Sequence, residues 1–95
     1  MQVAIAREYF PAYARLPRKA QKKADELLRK FTLDPRQASL HYEPIHGAHD
    51  RQLRSLRVGD DYRAIVRAPE VGEVFVLLWI DHHDEAYRWA ESKRG

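Results

Sequence analysis

The stretch VFVLLWI, residues 74–80, is the longest apolar run in the chain and constrains the fold more than any other feature. It is far too short to span a bilayer, which takes roughly 20 apolar residues in a helix. It matches instead a central β-strand buried on both faces, where alternation with polar residues is not needed. Two more strand-like runs stand just upstream, LRSLRV at residues 53–58 and YRAIVRA at 62–68. Gly59-Asp60-Asp61 and Pro69-Glu70-Val71-Gly72 separate the three runs with turn chemistry. The simplest arrangement is an antiparallel meander.

The rest of the chain must cover that sheet. Residues 2–6 alternate polar and apolar side chains and predict a short strand. Phe10, Tyr13, Ala14 and Leu16 fall at helical spacings, predicting a short helix over residues 8–15, with Pro11 tolerated in its first turn. Pro17 opens a longer helix whose Ala20, Ala24, Leu27, Leu28 and Phe31 form one buried stripe. Asp34-Pro35 ends it, because the residue before proline is pushed out of helical geometry. So short a link should fold the two helices into an antiparallel hairpin. Residues 37–50 show no clean period and read as a loop, and residues 84 to about 93 predict a final helix with Ala86, Trp89 and Ala90 inward. The expected class is α+β, in the order β-α-α-β-β-β-α: a helical hairpin packed on one face of a small antiparallel sheet, with a short C-terminal helix. Ninety-five residues suit one domain, 1–95, and the sheet face left free by the hairpin is where a ligand would lie.

Charge is unevenly placed. Residues 1–36 carry nine Lys/Arg against four Asp/Glu, whereas residues 68–95 carry three against six. The basic first half favours a polyanionic partner, and Lys19, Lys22 and Lys23 on the long helix are candidate nucleic-acid-binding residues. A first segment without a basic start and long apolar run points to a cytoplasmic protein with no membrane partner.

The chain has no cysteine, so disulfide and thiolate chemistry is excluded and a zinc site would need His and carboxylate ligands alone. His41, His46, His49, His82 and His83 are too poorly arranged for that: Gly47 disfavours a helical His46/His49 pair, and adjacent residues on a strand point to opposite faces. No metal and no cofactor is expected.

Arginine is more informative. RQLRSLRVGDDYRAIVR supplies Arg51, Arg54, Arg57, Arg63 and Arg67 across one hairpin. Alternation puts Ser55 and Arg57 on one face, and Arg63 leads the neighbouring strand just after the turn, so Arg57 and Arg63 can converge on one phosphate-sized space. The planar guanidinium fork suits phosphate oxygens. Arg51 and Arg54 are further nucleic-acid-binding candidates; the plainer reading makes any of these arginines a solvated edge or a partner of Asp60, Asp61 or Glu73. The apolar strand then delivers His82 and His83, and Tyr87 follows on the last helix. That set fits RNA cleavage in which the 2′-hydroxyl attacks the adjacent phosphate, a reaction needing a base, an acid and positive charge on the transition state. Tyr87, Trp79 and Trp89 read equally as core aromatics.

Strand, helical hairpin, loop, HGAHDRQLRSLRVGDDYRAIV, apolar strand and HHDEAY together resemble the RelE/ParE toxin superfamily over essentially the whole chain. The resemblance implies a RelE-like fold and, as leading function, a toxin of a toxin–antitoxin system that acts as a metal-independent endoribonuclease on ribosome-bound messenger RNA. It puts Arg57 and Arg63 of RVGDDYR at the family's phosphate-binding arginines, and His82 and Tyr87 of HHDEAY at its terminal His and Tyr. His83 stands where the family usually has arginine, and His82, His83 and Tyr87 all remain open as proton carriers. An antitoxin protein is implied as partner. The wording LLWIDHHDEAYRWA is also similar to a RelE-like module at the start of some UvrD-type DNA helicases. That likeness implies a non-catalytic module binding nucleic acid or the helicase motor; the ParE branch, which acts on gyrase, is a third reading.

Overall fold

The computed structural model describes residues 2–93. Strand β1 (Gln2–Ile5) leads into helix α1 (Tyr9–Ala14) and the longer α2 (Arg18–Leu33). Pro17 sits at the α2 N-cap, where its missing N–H costs nothing, and its carbonyl accepts the first helical hydrogen bond from the Gln21 N–H at 3.0 Å. Asp34 leaves the helix in extended geometry, as a residue before proline must. A 3-10 turn (Ala38–Leu40), β2 (Glu43–Pro44), β3 (Leu53–Val58), β4 (Tyr62–Arg67), β5 (Val74–His82) and α3 (His83–Ser92) complete the order.

The meander β3–β4–β5 forms as the turn residues predict, but the sheet is mixed. β1 pairs with β5 in parallel, and the two-residue β2 adds an edge beside β3, giving the order β1-β5-β4-β3-β2. α1 and α2 carry the chain from β1 to the far side of the sheet at β2 and β3, and the antiparallel β3–β4–β5 meander brings it back so that β5 lies parallel beside β1. β2 went unread within residues 37–50 because Pro44 interrupts it; proline is tolerated only at such an edge. β5 accordingly lies second from one edge, and β4 is the middle strand, with Ala64, Ile65 and Val66 fully buried.

A bulge in β5 explains its unbroken apolar run. Ile65 pairs with Trp79 but Val66 pairs with Leu77, leaving Leu78 over. Leu77 and Ile80, an odd number of residues apart, are thereby both buried against α1 and α2, and Trp79 turns to the opposite face. The core on the α1/α2 side joins Ala20, Ala24, Leu27 and Phe31 to Leu56, Val58, Ala64 and Val66. Tyr13 ties the two helices, its hydroxyl donating to Asp25 at 2.8 Å and its carbonyl accepting from Gln21 at 3.1 Å. The other face is not left bare: Ala86 and Ala90 of α3 pack on Leu53 and Ile65, flanked by Ile45 and Ala48. Trp79 and Trp89 stack there with ring centroids 5.0 Å apart and planes 3° from parallel.

Asp50 anchors the loop before β3. One carboxylate oxygen accepts the Gln52 N–H at 2.9 Å and the other meets the Arg67 guanidinium at 2.9 Å. Burial alone would raise its pKa, but those two partners together hold it below the usual carboxylate value. A depressed folded-state pKa gives stability that is complete above the unfolded value, near 4, and lost as pH falls through the folded value. Asp50→Asn should therefore cost on the order of 1 kcal/mol at pH 7. The difference from the parent should close in urea titrations as pH drops below about 4; a gap independent of pH would contradict this pairing.

Candidate functional site

The β3–β4 register places Arg57 directly opposite Arg63. Residues so paired share a face of the sheet, with Cβ atoms about 5 Å apart, and like charges there repel. Neither guanidinium has a salt-bridge partner among the described residues. Two paired arginines outside any salt bridge form a candidate seat for an anion. Arg63 is half-buried and fixed: its Nη1 donates to the carbonyls of Tyr62 at 2.7 Å and Asp60 at 3.3 Å. Arg57 is exposed. Asp81 of β5 stands opposite Arg63 and extends the same row, its Oδ1 accepting the His82 N–H at 2.9 Å.

From Arg57 a groove of about 280 Å³ runs to α2, lined by Lys23, Lys30, Glu26 and Asp60 over Leu27 and Leu40. The hairpin turn makes this closeness workable. Gly59 has φ +63°, and a Cβ there would lie 3.0 Å from the Lys23 Nζ. Gly59→Ala is expected to lower the melting temperature by roughly 4–8 °C, from about 1 kcal/mol of left-handed backbone strain. Lys23 should swing aside in the variant, visible as new amide chemical shifts along residues 57–61; an unchanged melting temperature would refute the strain.

α3 brings two more predicted residues to this face. The His83 N–H donates to the Asp61 carbonyl at 2.9 Å, tying the helix start to the β3–β4 turn, and His83 Nδ1 lies 2.8 Å from Asp84. One flank of α3 faces β5, where Trp89 stacks on Trp79. The other carries His83, Tyr87 and Glu91 one turn apart, and the Glu91 carboxylate packs against Gly47 in the loop before β3. His83 and Tyr87 thus overlook the sheet on the face that holds Arg57 and Arg63.

Other expected site residues lie elsewhere. His82 sits opposite Tyr62 on the α1/α2 face, their ring centroids 4.5 Å apart, so strand alternation separates it from the arginine row. Arg54 pairs with Val66 toward the other end of the sheet, 6.0 Å above the Tyr42 ring that Arg36 also covers at 5.0 Å. Arg51 is exposed in the loop, its carbonyl accepting from Arg54 at 2.8 Å. Lys19 and Lys22 are exposed on α2, and Lys19 shares the flank of Lys23, one turn before it. Lys30, seven residues after Lys23 and so on the same stripe, lines the groove although the sequence reading did not single it out. No group of three His, Asp or Glu side chains gathers around a metal-sized space among the described residues, and none of their helices is long and apolar enough to cross a membrane.

No family model matches the sequence, and no curated protein matches it. Solved structures do match its shape. A YoeB/ParE toxin from Agrobacterium tumefaciens superposes with a TM-score of 0.67 at 18% identity, covering 87% of this chain and 99% of that one. A RelB-RelE antitoxin-toxin complex from Methanococcus jannaschii gives 0.70 at 16%, covering 90% and 96%. An archaeal RelE-RelB complex from Pyrococcus horikoshii gives 0.68 at 22%, covering 85% and 92%. The likeness is one of fold, and the chain has the RelE-like fold that the sequence resemblance implied.

Proposed function

We propose that this RelE-fold chain is a toxin-type endoribonuclease that cuts ribosome-bound messenger RNA and is held in check by an antitoxin protein. The observation that carries the reading is the cross-strand pair Arg57 and Arg63, two arginines on one face of the sheet, neither in a salt bridge among the described residues. They suit a phosphate whose charge grows as the 2′-oxygen attacks. In that step the 2′-oxygen bonds to phosphorus and gives its proton to a base, while the bond from phosphorus to the 5′-oxygen breaks and the leaving oxygen takes a proton from an acid. The products are a 2′,3′-cyclic phosphate and a 5′-hydroxyl. Tyr87 and His83 are the candidate proton carriers of α3 on that face; with His83 Nδ1 turned to Asp84, its Nε2 is the nitrogen left for substrate. Lys23 and Lys30 continue the positive path toward α2, where the neighbouring phosphates of the strand would run. The same basic surface suits the acidic stretches of an antitoxin, and two of the structures alike in fold are antitoxin-toxin complexes.

One feature favours a second reading. Asp81 beside Arg63 and Asp84 on His83 put negative charge around the phosphate seat. Those carboxylates suit a module that binds nucleic acid or protein without cutting, whether attached to a UvrD-type helicase or acting on gyrase as ParE proteins do. Incubating purified chain with messenger RNA in a translation extract separates the two. Fragments ending in 2′,3′-cyclic phosphate are expected; intact RNA bound in a steeply salt-dependent way would favour the binding module. Folded protein that neither cuts nor binds RNA would sink the ribonuclease reading and leave only the protein-binding form of the second.

A further inference from the structure

We propose that the cleft walled by Tyr62 and His82 and by the end of α1 is a nucleobase pocket, which takes a base of the strand whose phosphate sits on Arg57 and Arg63. The inference rests on the RNA reading above and adds a site to it, on the other side of the sheet. The cleft encloses about 260 Å³. That is below the usual volume for a drug-sized ligand and suited to a single ring system. Leu16 and Ile80, both buried, supply an apolar floor, and Tyr62 and His82 supply an aromatic wall. Their ring centroids are 4.5 Å apart with planes inclined at 47°, so a flat ring entering the cleft meets two aromatic surfaces. Arg15 also lines the cleft and can donate to the acceptor edge that every base carries.

Position links this cleft to the phosphate seat. Tyr62 precedes Arg63 on β4, and His82 lies between Asp81 and His83, so the pairs Tyr62–His82 and Arg63–Asp81 are successive rungs of one ladder. Successive rungs face opposite sides of the sheet. A strand of RNA rounding this end of the sheet therefore meets the arginines on one face and the two rings on the other. β1 ends at Ile5 opposite Leu77, well short of His82, so no strand covers this end of β5, where Arg15 and Leu16 are the neighbours. Stacking depends on the π-face that every base has, so the pocket should hold any base.

The test uses the whole chain with three probes followed by NMR: adenosine, inorganic phosphate and a short single-stranded RNA. Adenosine is expected to move the ring resonances of Tyr62 and His82 and to leave the Arg63 side chain still, and phosphate to do the reverse. His82→Ala, an exposed position, should weaken RNA binding about tenfold, and His82→Phe should restore it. On an abasic ribose-phosphate oligomer His82→Ala should change nothing. Adenosine that leaves both rings unmoved while RNA still binds at Arg57 and Arg63 overturns the pocket and spares the RNA reading. An equal loss on the abasic oligomer overturns it too. If neither adenosine nor RNA binds, both readings fall; if adenosine binds and RNA does not, the pocket stands as a nucleoside site and the RNA reading falls.

Discussion

Arg63→Ala is expected to slow RNA cleavage by about 10²–10³-fold, the usual loss when one preorganised donor to a developing oxyanion is removed. The fold should survive. The two carbonyls that Arg63 now binds belong to Asp60 in the exposed β3–β4 turn and to the half-buried Tyr62 that begins β4, and water entering from the turn can replace the guanidinium. Removing one of two facing cations also relieves a repulsion that costs roughly 0.2–1 kcal/mol. Stability should therefore stay level or rise slightly while activity collapses, an opposition that a merely structural arginine would not produce. Arg63→Lys should land between the two, since it keeps charge but loses the two-pronged grip. Arg57→Ala should fall nearly as far, and the double variant little further, because groups that act on one phosphate are not additive. Single-turnover cleavage rates read beside thermal melts decide it; full cleavage by the Arg63 variant would remove the arginine pair from the reaction.

That pair was legible in the sequence because strand alternation and a short turn are local rules. Arg57 and Arg63 flank Gly59-Asp60-Asp61, and a hairpin turn fixes register, so their pairing across the two strands followed from chain spacing alone. His82 and His83 follow a different rule. His82 ends β5 and His83 opens α3, and alternation read on from the strand says that they part; which ring goes with the arginines depends on the phase of β5. The bulge at Leu78 resets that phase, and apolar residues on both sides of it leave no polar mark of the slip. The parallel seat of β1 was hidden for a related reason. A four-residue strand carries no record of its partner, and its direction relative to β5 is set by the helices and the meander that lie between them in the chain. Lys30 was hidden by company: it is one of many cations on α2, and only the contact of Lys23 with Gly59 shows which stripe faces the hairpin.

The largest effect on stability should come from Phe31→Ala. Phe31 is 1% exposed and joins three parts of the chain: it lies on α2, its ring is 5.2 Å from that of Phe75 on β5, and it stacks 6.4 Å from Tyr42 beside β2. Truncating a buried phenylalanine costs about 3–5 kcal/mol in lost transfer energy and residual cavity. A domain of this size has only about 5–15 kcal/mol in all. The aromatic neighbours are held by strand and loop backbone and cannot collapse into the space, so the loss should lie near the upper figure. Leu33→Ala, two residues on and 80% exposed, should stay within about 0.5 kcal/mol and serves as the control. The functional consequence separates seat from chemistry. Phe31 holds the helix that carries Lys23 and Lys30 but touches neither arginine of the hairpin, whose register is set by β3 and β4. At low temperature, where enough of the variant stays folded, RNA binding should weaken more than the cleavage rate of bound RNA. A urea titration showing less than about 1 kcal/mol lost would mean that α2 is seated by something other than this aromatic cluster.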